Sequence, residues 1–202
     1  MVDPADIAAA KTELRRALRA RRQVRTDLER DRADAARTGH VLDFLGPVHQ
    51  LTVASYLSVP PEPDTTELVA ALYVGGARVL LPVLGPDADG RPRRGPDWAP
   101  YAGPERLRAG LWGIPEPDTE PVGAAALQQA DVVLVSALAV SVDGWRLGIG
   151  GGWFDRALQH SGAATVTVAL VSDDEVLDSL PREAFDRRVD VLATESGIRP
   201  TA

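Results

Sequence analysis

The chain has no cysteine, a single methionine, a single lysine and few aromatics, which make up 5% of its 202 residues. Without cysteine there is no disulfide, no thiolate nucleophile and no zinc–thiolate site. Long apolar runs are missing too: the longest are strand length, short of the ~20 residues a membrane-spanning helix needs. Met1-Val2-Asp3-Pro4 is acidic and lacks an apolar core, so no secretory leader is expected. These absences suit a cytoplasmic protein. Positive charge is in deficit as well. The formal net charge of −7 argues against general affinity for nucleic acid or an anionic membrane. The three histidines, His40, His49 and His160, fall outside every motif below and are expected at surface or boundary positions.

What the chain does have is a glycine cluster. Arg146-Leu147-Gly148-Ile149-Gly150-Gly151-Gly152-Trp153-Phe154-Asp155-Arg156 packs four glycines into five positions, after an apolar run and before an expected helix at 153–160. A strand, a glycine turn and a helix start form a phosphate cradle. Glycine lets the backbone approach an anion with φ > 0, and the free N–H groups of the first helical turn point at it. Arg146 and Arg156 can neutralise phosphate oxygens, and Asp155 is an oxygen ligand of the kind Mg²⁺ prefers. Two familiar motifs fail. The dinucleotide fingerprint needs glycine where Trp153 stands, and the P-loop needs a Gly-Lys-Ser/Thr ending that is absent.

Charge is unevenly spread. Ten of the 22 basic residues fall between Lys11 and Arg37, most of them on a solvated, arginine-rich helix face. Lys11 stands alone against 21 arginines. Either chance put it there or the site needs its compact ammonium rather than a planar fork. Lys11 and Arg15, four residues apart, share one face of a helix.

Periodicity predicts helices over 4–25, with Asp3 as its cap, and over 27–45. Strands are expected at 51–57 and 77–84, with a helix at 65–74 between them, which makes a βαβ unit. The proline-rich run 58–64, carrying Glu62, is a stiff loop. Residues 85–103 read as a hairpin or surface excursion, either idle or covering a site, and 113–117 as a second stiff loop. A short helix at 122–130, one buried strand at 131–142, strands at 165–171 and 189–194, and a turn or helix at 181–187 complete the pattern. One unit of 202 residues follows, long enough to bury roughly 70% of its unfolded surface. Its N-terminal helices, 1–45, should pack on the sheet. The fold class is α/β: a three-layer sandwich with a mostly parallel central sheet and helices on both faces, Rossmann-like. Ligands in such folds bind beyond the carboxyl ends of the strands, so the loops after Leu57 and Val142 should share one edge.

These blocks, taken in order, resemble the 5-formyltetrahydrofolate cyclo-ligase (methenyltetrahydrofolate synthetase) family over nearly the whole chain. The resemblance rests on Lys11-Thr12-Glu13-Leu14-Arg15, on Glu62 before Asp64-Thr65-Thr66-Glu67-Leu68, and on Leu81-Pro82. It continues through Gly113-Ile114-Pro115-Glu116-Pro117, the signature Arg146 to Asp155, and Asp186 to Asp190 leading into Thr194-Glu195. Three positions depart from the pattern: Ser136 for a proline, Ser141 for an acid, and Trp153 in the first of two Tyr/Phe positions.

The resemblance implies a ligase that converts 5-formyltetrahydrofolate, with or without a polyglutamate tail, to 5,10-methenyltetrahydrofolate with ATP and Mg²⁺. The formyl oxygen would attack the γ-phosphate to give an iminophosphate, after which N10 closes the ring. It further implies ATP contacts at Lys11, Thr12, Glu13, Leu14, Arg15, Arg146, Leu147, Gly148, Ile149, Gly150, Gly151, Gly152, Trp153 and Phe154. Substrate contacts would fall at Leu57, Glu62, Gly150, Gly152 and Trp153, and Mg²⁺ ligands at Asp155 and Asp186. Lys11, Arg146 and Asp155 would carry catalysis. A monomer is expected. The alternatives are a non-catalytic nucleotide- or folate-binding paralogue on the same fold, and an unrelated phosphate-handling enzyme such as a sugar-phosphate isomerase.

Overall fold

A computed structural model describes residues 4–87 and 89–202. Seven strands form the central sheet in the order β12-β11-β9-β6-β1-β2-β3. Its middle five are β1 (Thr52–Ala54), β2 (Arg78–Pro82), β6 (Val132–Ser136), β9 (Val166–Leu170) and β11 (Val191–Thr194), all parallel to their neighbours. The edges are antiparallel: β3 (Trp98–Pro100) beside β2 and β12 (Gly197–Pro200) beside β11. A three-stranded sheet, β10 (Val176–Leu177), β7 (Ala139–Ser141) and β8 (Arg146–Leu147), and a pair, β4 (Leu107–Ala109) with β5 (Pro115–Pro117), lie apart.

Strand side chains alternate between faces, and the two apolar layers divide accordingly. Val53, Val79, Leu81, Leu134, Val168, Leu170 and Val191 pack with Val41 of α2 (Asp27–Leu45) and Leu68 and Leu72 of α3 (Thr66–Val74). The intervening Ala54, Leu80, Val133, Val135, Ala169 and Leu192 pack on the other face. There they meet Leu127 of a 3-10 turn, Ala157 of α4 (Trp153–Ala157) and Leu158 beyond it. Burying each leucine fully contributes about 1.5–3 kcal/mol relative to exposure. Helices therefore cover both faces of a mostly parallel sheet, as the alternation of elements requires.

Local chemistry explains the helix limits. Thr26 caps α2 through a reciprocal bond with Glu29, and Gly46 closes the helix at φ 63°. Helix α1 (Pro4–Gln23) behaves differently, because its only apolar anchors are Leu14 and Leu18, set against Leu138, Ala139 and Leu147 of the small sheet. Arginines do the rest. Arg22 forms a two-pronged ion pair with Glu175, at 2.6 and 2.8 Å, with both side chains 2% exposed. The expected cap of α1, Asp3, lies outside the described residues.

Several sequence expectations are corrected. The run 131–142 is two strands rather than one: β6 stays in the main sheet, while β7 leaves it after Ala137-Leu138 to build the small sheet. Within 85–103, read as a hairpin or surface excursion, strand β3 forms the return limb of a hairpin, paired antiparallel to β2 in the main sheet. The stiff loop 113–117 holds β5, paired to β4. β12 follows the strand expected to be last, while 181–187 take the turn of the two forms expected.

Candidate active site

The chain leaves β1 toward β2 on one side, whereas β6 returns beside β1 and the later strands extend the opposite way. The crevice beyond the carboxyl ends of β1 and β6 is thus the switch point of the sheet, where ligands of open α/β folds bind. A cavity of about 740 Å³ opens there. Its walls come from α1, the segment after β1, the loops 93–95 and 111–115, the run from Arg146 to Arg156, and residues 183–186.

Hairpin β7–β8 delivers Arg146 and Leu147 to the cavity, and the glycine turn follows. Gly150 (φ 114°) and Gly152 (φ 62°) need glycine because a side chain rarely adopts such backbone. The carbonyls of the turn are tied back by arginines. Arg15 Nε donates to Gly148 O at 2.9 Å, Arg19 to Ile149 O at 2.7 Å, and Arg156 to Gly151 O at 3.0 Å. Among the described residues, the N–H groups of Gly150, Gly151 and Gly152 donate to no acceptor. The turn therefore offers free N–H donors while three of its carbonyls are occupied, which is the chemistry an anion needs.

Charges converge beside it. Arg146 binds Asp155 Oδ1 at 2.5 Å, and the Arg187 N–H donates to the same oxygen at 3.3 Å. Burial pulls the Arg146 guanidinium below its ordinary pKa, against the opposing pull of Asp155 and Asp186. Lys11, 4% exposed, donates to Asp186 Oδ2 at 2.6 Å and Glu183 Oε2 at 2.8 Å. The Glu183 N–H also donates to Asp186 Oδ2. The donor set can be tested against Mg²⁺, which takes one or two protein carboxylates and completes its shell with phosphate and water. Asp155 fits, since its Oδ2 makes no hydrogen bond among the described residues. Asp186 fits once Lys11 turns toward phosphate. No cluster of three or more potential ligand side chains exists among the described residues.

The opposite arm is more apolar. The Ser58 hydroxyl donates to Pro63 O, closing the loop that carries Glu62. Burial pushes the Glu62 carboxyl above its ordinary value, with Arg22 and Arg19 pulling the other way. Tyr56 and Leu57 line this arm. Trp112 stands on the rim, 73% exposed, with left-handed backbone (φ 59°) unusual for its size. Beneath it Glu116, 1% exposed, accepts the N–H groups of Leu84 and Gly85 at 2.9 and 2.7 Å and fastens the two loops together.

Of the residues expected from sequence, the cavity gathers Lys11, Thr12, Arg15, Leu57, Glu62, every position from Arg146 to Asp155, and Asp186. Glu13 and Leu14 lie outside it. One turn of helix cannot present five successive side chains to one side: Glu13 faces solvent and Leu14 packs with Leu18. The sequence reading missed Tyr56, Arg93, Arg94, Trp112, Glu183 and Phe185. The only local signals were an aromatic beside glycine at Trp112-Gly113 and an acid three residues before Asp186.

A sequence model described as the 5-formyltetrahydrofolate cyclo-ligase family matches residues 7–195. The chain belongs to that family. It is 39% identical over 189 residues to the 5-formyltetrahydrofolate cyclo-ligase of Mycolicibacterium smegmatis, covering 89% of this chain and 96% of the relative. The Escherichia coli K12 cyclo-ligase is 32% identical over 148 residues, covering 73% of this chain and 79% of its own. Among solved structures, the NMR structure of 5,10-methenyltetrahydrofolate synthetase from Aquifex aeolicus superposes with a TM-score of 0.77 at 29% identity. That match covers 94% of this chain and 92% of the other.

Proposed function

We propose that the chain converts 5-formyltetrahydrofolate, with or without a polyglutamate tail, to 5,10-methenyltetrahydrofolate at the cost of ATP. The observation that carries this reading is one cavity with two unlike arms. A glycine turn with free N–H donors and clustered cations lies at one end, and the half-buried, unbonded carboxylate of Glu62 at the other. The first suits a triphosphate. The second suits the N–H and amino edge of a pterin.

Phosphoryl transfer asks mainly for positioning and charge neutralisation, which suits a site without histidine. Lys11, Arg15 and Arg146 neutralise the phosphates while the turn's N–H groups hold them. Glu62 and Leu57 orient the folate so that its formyl oxygen faces the γ-phosphorus. The formyl oxygen forms a bond to phosphorus as the bond to ADP breaks, giving an iminophosphate at N5. N10 then attacks the activated carbon, and the C–O bond breaks to release inorganic phosphate, which carries off the N10 proton. Trp153 and Phe154 wall the reacting region from water. Asp155 and Asp186 would hold Mg²⁺, which when bound neutralises phosphate oxygens.

The test is the rise of methenyltetrahydrofolate absorbance when the purified protein meets 5-formyltetrahydrofolate, ATP and Mg²⁺ near neutral pH. Binding of both substrates with no turnover would instead establish a non-catalytic paralogue.

A further inference from the structure

Three buried side-chain atoms lack any hydrogen-bond partner among the described residues: Tyr56 Oη, Trp98 Nε1 and Arg146 Nε. All three residues surround the aromatic pair of the glycine turn. The Tyr56 ring meets Phe154 edge-on at 6.2 Å, the Arg146 guanidinium lies 6.0 Å from the centre of the same ring, and Trp98 meets Trp153 edge-on at 5.1 Å. Arg146 already has a phosphate-binding role. Tyr56 has none, although it lines the cavity.

A buried hydroxyl without a partner is costly, and a folded protein keeps one chiefly where something else supplies the bond. Tyr56 is 4% exposed and lies two residues beyond the end of β1, at the switch point of the sheet. It has little freedom to find a partner within the protein. Its ring is packed against Phe154, and its own carbonyl accepts the Thr65 hydroxyl at the start of α3. Burial pushes the phenol above its ordinary pKa, with Glu62 adding to the effect and Arg37 and Arg22 opposing it. The hydroxyl therefore stays protonated and able to donate. Six residues on, Glu62 lines the same arm, and its carboxylate likewise makes no hydrogen bond among the described residues. One donor and one carboxylate, six residues apart, thus line the same arm of the cavity.

We propose that Tyr56 is a specificity-determining residue whose hydroxyl donates to the ring carbonyl oxygen of the pterin, next to the N–H and amino edge that Glu62 accepts. A pterin presents that acceptor beside those donors, so a phenol and a carboxylate together read its edge. This rests on the folate reading of the cavity. A hydroxyl reserved for the substrate carries a distinctive signature: removing it weakens substrate binding yet spares, or even relieves, the free protein. A hydroxyl with a structural role would do the reverse.

The experiment compares wild type with Tyr56→Phe by steady-state kinetics and by thermal melting without ligands. The expected result is a roughly tenfold rise in the KM for 5-formyltetrahydrofolate. The ATP KM should stay within twofold, and the Tm of the free protein should be unchanged or higher. A folate KM within twofold of wild type overturns the assignment. So does any clear loss of free-protein Tm, because the hydroxyl would then be bonded within the protein. If wild type itself neither turns over nor binds 5-formyltetrahydrofolate, the proposed function fails and this assignment with it. A normal wild type beside an unaltered variant removes Tyr56 alone.

Discussion

Lys11 and Asp186 are 175 residues apart in the chain and 2.6 Å apart in space. The contact ties the first helix to the end of the cavity that the glycine turn flanks. On the proposed function, Lys11 would exchange carboxylate for phosphate when ATP binds. An arginine fork would hold Asp186 with different reach and geometry. Lys11→Arg should therefore raise the ATP KM and lower kcat several-fold while folate binding holds. Lys11→Ala should in addition lose about 3 kcal/mol of stability, because Asp186, with its side chain 8% exposed, loses its cation. An ATP titration and a denaturant melt check the two; kinetics within surface-mutation noise, about ±0.5 kcal/mol, would remove Lys11 from the mechanism.

Asp155→Asn should abolish turnover with the fold retained. The amide keeps the shape but loses the charge that would serve Mg²⁺ and pair with Arg146. Turnover at ordinary Mg²⁺ concentrations together with a circular dichroism spectrum decides it. Full activity in this variant would mean that Asp155 serves only to hold Arg146.

Glu62→Gln should raise the folate KM more than tenfold with little change for ATP, since a charge-assisted bond is worth ~1.5–3 kcal/mol. The same variant carries a pH signature. The folded-state pKa of Glu62 lies above its ordinary 4.5, so the folded protein binds the proton more tightly than the unfolded chain does. Its contribution to stability is thus fully present below about 4.5 and is lost as pH rises through the raised value. Across that window the Tm of wild type relative to Glu62→Gln should fall as pH rises, because the variant removes only this group from the sum over all carboxylates. Parallel curves would show that the carboxyl is not desolvated.

Two neighbouring glycines should respond in opposite ways. Gly152 sits at φ 62°, so Gly152→Ala should cost about 1 kcal/mol, or roughly 2–4 °C in Tm. A Cβ at Gly151 would meet nothing within 4 Å. Gly151→Ala should leave Tm alone and still raise the ATP KM, because the methyl group enters space that phosphate would use. If Gly151→Ala proved kinetically silent, the phosphate would have to lie elsewhere.

Arg22→Met should destabilise strongly. Glu175 is 2% exposed and would keep a buried charge without its partner, which costs roughly 3–5 kcal/mol and on the order of 6–20 °C. Arg22→Met combined with Glu175→Leu should recover most of that loss. Thermal melts of the single and double variants measure the coupling directly.

The blocks that carried chemistry were legible because chemistry constrains short stretches. The glycine run, Glu62 on its proline loop and Lys11-x-x-x-Arg15 all reach one cavity. Residues whose role depends on tertiary placement were not legible. Glu183 and Phe185 are an ordinary acid and aromatic until a turn sets them beside Lys11, at 2.8 Å and 5.6 Å. The run 131–142 misled because an apolar stretch looks the same whether or not it changes sheets at Ala137. Tyr56 hid inside a strand-like pattern, where a β-rich aromatic reads as core. Glu13 and Leu14 were swept in with their neighbours because a block of consecutive residues ignores the helical period.

With Lys11 the chain's sole lysine, amine chemistry has one side chain to find. That amine is buried, ion-paired and positioned at the cavity. An acylating reagent of modest size would therefore report, through the peptide that carries Lys11, whether the pocket is open, filled or unfolded. The molecule carries its own built-in occupancy tag, with no second lysine to obscure the reading.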